Sequence, residues 1–322
     1  MFYDWAEDMP LSVLAAFTKE TGIKVRYETY ESQEEAVENI RKGGSYDVAV
    51  LEHDKIPPLV AEGRLAEIDF GKIPNFNNIS PNFRDLATDP GNRHTVPYHF
   101  GTTGLIVRTD LAKKPVKRWA DLLDSRFKGR IAIRDQSREL FGLTLLSLGY
   151  PMDSEDPRQL EAALQWLLKL KQASFLVDVE AAKAVPKLLS GEAVILVGWA
   201  EDFRLAHAGN ASVAYVIPAE GTDLWGDSYT IPANSRNKES AERFIDFLLR
   251  PEISAQIVNE KYFASANEAA LPLVKAEIRS DPVTFPPPKL LAKMAFFKPQ
   301  SAATEKMYDA FFKRLDLSGA VK

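Results

Sequence analysis

The chain has 322 residues, a net charge of −5 and a pI near 5.6, with 45% hydrophobic and 26% charged residues. That length exceeds one core of ordinary size, so two lobes are expected, and the composition is that of a folded globular protein. No Lys/Arg-rich block offers a nucleic-acid face, the absence of cysteine excludes thiol catalysis, disulfides and cysteine metal sites, and no apolar run reaches the roughly 18 residues that span a bilayer.

Strand-like and helix-like stretches alternate, which predicts an α/β protein. The chain begins almost inside a strand-like stretch, Met1 to Trp5, and is read as a mature form whose leader has been removed. Pro10 to Glu20 is predicted helical, with Leu11, Leu14, Ala15 and Phe17 on one face and Gly22 closing it. Ile23 to Thr29 alternates as a strand. Glu34 to Lys42 reads as a helix, Tyr46 to Leu51 as a strand buried on both faces, and Ile56 to Glu62 as a helix with Pro57 in its first turn. Val96 to Tyr98 and Leu105 to Val107 are extended, and Gly101-Thr102-Thr103-Gly104 between them is a candidate crossing between lobes. Trp119 to Leu123 is a short helix; Ile131 to Arg134 is a strand leading into a helix from Ser137 to Leu148. Leu160 to Gln172 is strongly amphipathic, and Val185 to Ser190 is a helix ended by Gly191. Ala193 to Val197 and Val213 to Ile217 are strands flanking a helix that starts at Glu201. The stretch around Gly226 is a second candidate crossing, Tyr229 to Pro232 is extended, and Ser240 to Leu249 is a helix stopped before Pro251. Pro286-Pro287-Pro288 is predicted as a stiff connector, and Ala303 to Leu315 as a last amphipathic helix. With no linker dividing the chain in sequence, each lobe is expected to be discontinuous: 1–103 with 227–272, and 104–226 with 273–322.

No nucleophile elbow, P-loop, dinucleotide fingerprint or zinc-protease helix is present, so neither an enzyme nor a cofactor is expected. The four histidines, His53, His94, His99 and His207, have no metal-ligand spacing; His53 reads as a solvated loop residue. Aromatic residues and acids gathered at strand ends are more informative. Trp5-Ala6-Glu7-Asp8 and Trp199-Ala200-Glu201-Asp202 each follow a strand and precede a helix, Trp225-Gly226-Asp227 adjoins a crossing, and Arg134 to Glu139 bridges a strand and a helix. Ligands of open α/β sheets bind outside the carboxyl ends of strands. Any one of these positions is explained by core packing or by a helix dipole; the recurrence of the pairing at three strand ends points to a cleft lined by tryptophans and carboxylates.

In these blocks, and in Phe17 to Val25, Thr29-Tyr30-Glu31-Ser32, Tyr46-Asp47-Val48, Val96-Pro97-Tyr98, Trp119 to Leu122, Phe127-Lys128-Gly129, Ile231 to Asn234, Asn237-Lys238-Glu239 and Phe247 to Pro251, the chain resembles the periplasmic spermidine/putrescine-binding proteins of bacterial ABC importers. The resemblance runs nearly end to end. It implies a two-lobed type II periplasmic-binding-protein fold with a central interlobe cleft and multiple hinge crossings, a small-molecule polyamine as ligand, an importer permease as partner, a monomer, and a periplasmic or other extracytoplasmic location. It also carries ligand-binding roles onto Trp5, Glu7, Glu139, Trp199, Trp225 and Asp227. Carboxylates suit ammonium groups, each charge-assisted hydrogen bond contributing on the order of 1.5–3 kcal/mol, and aromatic walls suit the methylene spacers, with about 0.5–2 kcal/mol from cation–π contact.

Departures from the family's pattern bring in Asp8, Glu52, Asp54 and Gln136, and Phe297 stands near the place of a polar residue. They extend the candidate ligand set to Asp8, Glu52, Asp54 and Gln136, and leave open another cationic amine, an amino-acid derivative or a divalent metal on the same fold. They leave equally open that Glu52 and Asp54 pair with Lys55 or His53 and never touch ligand.

Overall fold

The computed structural model of the chain describes residues 1–6, 8–134, 137–173, 175–177, 181–291, 293–298 and 300–315. The strands among them are β1 (Phe2–Trp5), β2 (Tyr27–Tyr30), β3 (Val48–Glu52), β4 (Thr95–Arg108), β5 (Ile131–Arg134), β6 (Phe175–Val177), β7 (Ile195–Trp199), β8 (Val213–Val216), β9 (Asp223–Thr230), β10 (Ala264–Ser265) and β11 (Ala295–Phe296). Helices fill most of the intervals between them. The chain divides into two compact units, the first Met1–Phe100 with Trp225–Phe285, the second Gly101–Leu224 with Pro286–Lys322.

In the first unit β1 pairs in parallel with both β2 and β3, and β9 runs antiparallel to β3 with Glu52 opposite Asp227. Successive strand residues face opposite ways, and both faces are covered. Phe2, Val48, Val50 and Tyr229 join one core with the helices Leu11–Thr21 and Lys238–Leu248; Tyr3, Ala49 and Leu51 join another with the helices Gln33–Arg41 and Ile56–Ala61. Continuous apolar strands are what such two-sided burial demands. Local signals place the helices: Ser32 accepts a capping hydrogen bond from the Glu35 N–H at 3.2 Å, and Gly22, at φ 74°, closes the first helix in the left-handed conformation that glycine adopts without strain.

The second unit repeats the plan. β5 lies parallel to β6 and β7, while β4 runs antiparallel to β7 and β8. Leu105, Val107, Ile131, Ile133, Ile195 and Val197 face one core, and Ile106, Ala132 and Leu196 face another.

The structure departs from the sequence expectations at several points. The crossing expected at Gly101 to Gly104, with the boundary at 103/104, falls at 100/101 and inside one 14-residue strand, β4. Trp225 to Asp227 likewise lies within β9, which changes unit at 224/225. The third change comes at 285/286 rather than 272/273, because Val274, Ile278 and Phe285 pack against Ala255 and Val258 of the first unit. Pro251 does not merely stop a helix. It opens the next one, Pro251–Lys261, at a first-turn position that lacks no hydrogen bond. Pro288 similarly begins the helix Pro288–Leu291, so the proline run is not a connector throughout. β2 starts at Tyr27 rather than Ile23.

Candidate functional site

In the first unit several chain ends deliver acids and rings to one place. β1 ends in Asp4 and Trp5, and Asp8 follows in the turn. Asp4 is fully buried; its Oδ1 accepts the Trp5 N–H at 2.9 Å, and its Oδ2 has no hydrogen-bond partner among the described residues. Asp227, on β9, and His99, on β4, are buried beside Asp8. His99 Nε2 stands 3.3 Å from Asp8 Oδ2 and 3.3 Å from Asp227 Oδ2. The His99 ring stacks on Phe263, with centroids 4.3 Å apart, and meets Trp225 edge-on at 5.9 Å. Trp5 packs against Tyr30. β3 brings half-buried Glu52 opposite Asp227, and Asp54 follows in a 3-10 turn from His53 to Lys55.

Burial and mutual repulsion dominate the electrostatics. Burial pushes the Asp227 carboxyl up to about 6; His99 opposes the rise, Asp8 adds to it, and a hydrogen bond from the Trp5 side chain lowers it. Burial also raises Asp4 well above the usual carboxylate range, with Asp8 and Asp227 adding to the effect. Glu52 is raised by burial, then by Asp54 and Asp227. Tyr98 and Tyr229 are raised by burial first, with nearby acids adding to it, so both stay neutral hydroxyls. The cluster therefore holds more carboxylates than cations and is built to accept positive charge.

One expectation changes here, and one open alternative is met. His53 is not solvated but buried, its Nε2 3.0 Å from Ser228 Oγ. Burial pushes its imidazole down to about 4, against the pull of Asp54. A neutral, enclosed ring of this kind ties the turn after β3 to β9. Asp54, in turn, pairs with Lys55 at 3.1 Å, and Lys55 also lies 3.5 Å from Glu34.

In the second unit Trp199 ends β7, and its N–H donates to Asp202 Oδ2 at 3.0 Å, so that acid caps the helix Ala200–Gly209. Glu139 lies in the first turn of the helix Ser137–Ser147. Around Tyr215, whose hydroxyl donates to Thr102 O at 2.7 Å, burial raises the phenol, and Asp223, Glu201 and Glu139 add to the rise. Asp223, buried at the start of β9, is pushed up to about 6 by burial, with hydrogen bonds from Thr103 and Thr222 opposing. Arg138 lies over the Phe297 ring, 4.9 Å from its centroid, and donates to Lys298 O.

Of the sequence candidates, Trp5, Asp8, Glu52, Asp54, Trp225 and Asp227 gather in the first unit, and Glu139 and Trp199 belong to the second. Glu7 and Gln136 lie outside the described residues. Sequence reasoning missed Asp4, His99, Tyr98, Tyr229 and Asp223. One signal was available: an acid at Asp4 interrupts an otherwise apolar strand, and Trp225, Asp227 and Tyr229 alternate at the strand period.

Known proteins resemble this chain over nearly its whole length. The model of a family described as bacterial extracellular solute-binding protein matches residues 12–286. The spermidine/putrescine-binding periplasmic protein of Escherichia coli is 34% identical over 319 residues, covering 98% of this chain and 90% of that protein. The putrescine/agmatine-binding protein of Pseudomonas aeruginosa is 31% identical over 88% of this chain and 82% of its own. The crystal structure of the spermidine/putrescine ABC transporter substrate-binding protein PotD from Streptococcus pneumoniae superposes with a TM-score of 0.90 at 30% identity, covering 98% of each chain.

Proposed function

The chain belongs to the bacterial extracellular solute-binding protein family, and from that premise we propose that its solute is a polyamine of the spermidine/putrescine class. It is an extracytoplasmic binding protein of periplasmic-binding-protein fold, not an enzyme. In the proposal it acts as a monomer in the periplasm or at the cell surface and delivers the polyamine to the permease of an ABC importer. The observation that carries the reading is the set of buried carboxylates around Asp227 and Asp8, held against rings and short of cations. An ammonium entering this set would relieve repulsion that the ligand-free protein contains, and each charge-assisted hydrogen bond would contribute about 1.5–3 kcal/mol. Trp5 and Trp225 are assigned as walls for the methylene chain and Glu52 as a further acid, and Glu7, Glu139, Trp199 and Gln136 keep the ligand-binding role read from the sequence. Asp54 is assigned only an indirect part, through Lys55. The names of the relatives favour the amine over a divalent metal.

The test is a thermal-shift and calorimetric titration of ligand-free protein with putrescine, spermidine, spermine and cadaverine, with calcium and zinc as controls. A binder at a hundredfold excess over its Kd stabilises the folded form by about 2.7 kcal/mol. A response to a polyamine that Asp227→Ala abolishes is the expected result. Silence toward all four amines, or a response to metal alone, sinks the reading.

A further inference from the structure

The side chain with the least obvious reason to be in this cluster is His99. The sequence marks it only as one of four histidines without metal spacing. β4 and β10 fix its backbone, with His99 opposite Ser265, and Phe263 and Trp225 fix its ring. Its Nε2 is equidistant, at 3.3 Å, from two carboxylates, the buried Asp227 and the half-buried Asp8. A single Nε2–H can aim well at only one of them, and Asp227 Oδ1 has no hydrogen-bond partner among the described residues. Two carboxylates facing one imidazole favour the imidazolium when no other cation is near, and a second cation in the same place would oppose it. The surrounding groups are these. Asp4 on β1 is held toward its neutral acid by burial, and Lys261 at the end of the helix Pro251–Lys261 opposes that. Glu52 and Asp54 at the end of β3 add negative charge near Asp227. His53 stays neutral and supplies no competing cation, and the Tyr98 phenol beside His99 stays neutral as well.

We propose that His99 is a specificity-determining residue that serves Asp8 and Asp227 as an internal cation in the ligand-free protein and yields them, by losing its proton to solvent, when a ligand ammonium enters. The inference rests on the polyamine reading and deepens it. Histidine thereby sets how much positive charge the acid pair demands from outside, and ammonium and proton compete for one place. Polyamine affinity then falls on acidification, by at most tenfold per pH unit for the one proton exchanged.

The test is direct observation of the ring. Long-range proton–nitrogen correlation spectra of histidine-labelled protein at pH 7 separate imidazolium from neutral imidazole, and the His99 signal is the one missing in His99→Gln. The expected result is imidazolium in the ligand-free protein, neutral imidazole with saturating putrescine, and a wild-type loss of affinity from pH 8 to pH 6.5 that is reduced in His99→Gln. A neutral ring in the ligand-free protein overturns the inference, and so does an imidazolium unchanged by bound putrescine. If calorimetry on the same samples shows no polyamine binding, the functional reading fails on its own. The ligand-free spectra of wild type and Asp227→Asn then decide this inference: a ring that turns neutral in the variant supports the internal cation, and an unchanged ring overturns it.

Discussion

Replacing Asp227 by asparagine should stabilise the ligand-free protein while weakening its hold on ligand. The carboxyl is 3% exposed and its pKa rises from the usual 3.8 to about 6, chiefly through burial. That rise corresponds to about 3 kcal/mol of preference for the protonated form in the folded chain. Because the folded value lies above the unfolded one, the folded chain keeps the proton longer. The stability this contributes is fully present below the unfolded value near 4 and is lost as pH rises through about 6. At pH 7 the wild type has lost it, whereas the isosteric amide never ionises. Asp227→Asn should therefore unfold at higher urea than wild type at pH 7, by up to about 3 kcal/mol, and the gap should close on going to about pH 4. The same change removes a charged acceptor from the site, and putrescine affinity should drop by roughly 10- to 150-fold, the equivalent of 1.5–3 kcal/mol. Urea melts followed by far-UV circular dichroism on protein stripped of ligand, at pH 4 and pH 7, would measure the first effect, and calorimetry the second. A variant no more stable than wild type at pH 7, or a gap of equal size at pH 4, would refute the argument that burial strains this carboxylate.

Three further outcomes follow from the same coordinates. Glu52→Gln should also raise the urea midpoint of ligand-free protein at pH 7 and leave it unchanged in strong acid, since burial and the Asp54 and Asp227 charges raise that carboxyl; an unchanged midpoint at pH 7 would show that the carboxylate is well solvated. Trp199→Ala should weaken putrescine binding by up to about thirtyfold, the size of a lost cation–π contact, as read by calorimetry; undiminished affinity would remove Trp199 from the site. Gly104→Ala should destabilise the second unit by about 1–3 kcal/mol. A Cβ there falls within 2.8 Å of both Cε atoms of Tyr215, and that ring cannot retreat without giving up its hydrogen bond to Thr102 O. A thermal midpoint equal to wild type would show that the ring moves freely.

Half of the site was visible in the chain because it was written locally. Trp5, Asp8, Trp199 and Asp227 each sit at the end of, or within, a short apolar run, and acids with indoles at strand ends stand out without any knowledge of pairing. His99 was not visible. Its meaning depends on carboxylates 91 and 128 positions away that strand pairing brings within 3.3 Å. Asp4 was passed over inside an apolar strand, and of the two roles left open for Asp54 the structure shows the pairing with Lys55.

By itself the sequence determined most of the order of strands and helices and the two-sided burial of the strand after Tyr46, because propensity, periodicity and composition act over a few residues at a time, and its resemblance to known proteins gave the family. Tertiary structure alone decided where units change within β4 and β9, that Pro251 opens a helix, that His53 is enclosed, and that Asp8, His99 and Asp227 meet. Those outcomes depend on register and on burial, and a charge's cost is set by what surrounds it in space rather than by its neighbours in the chain.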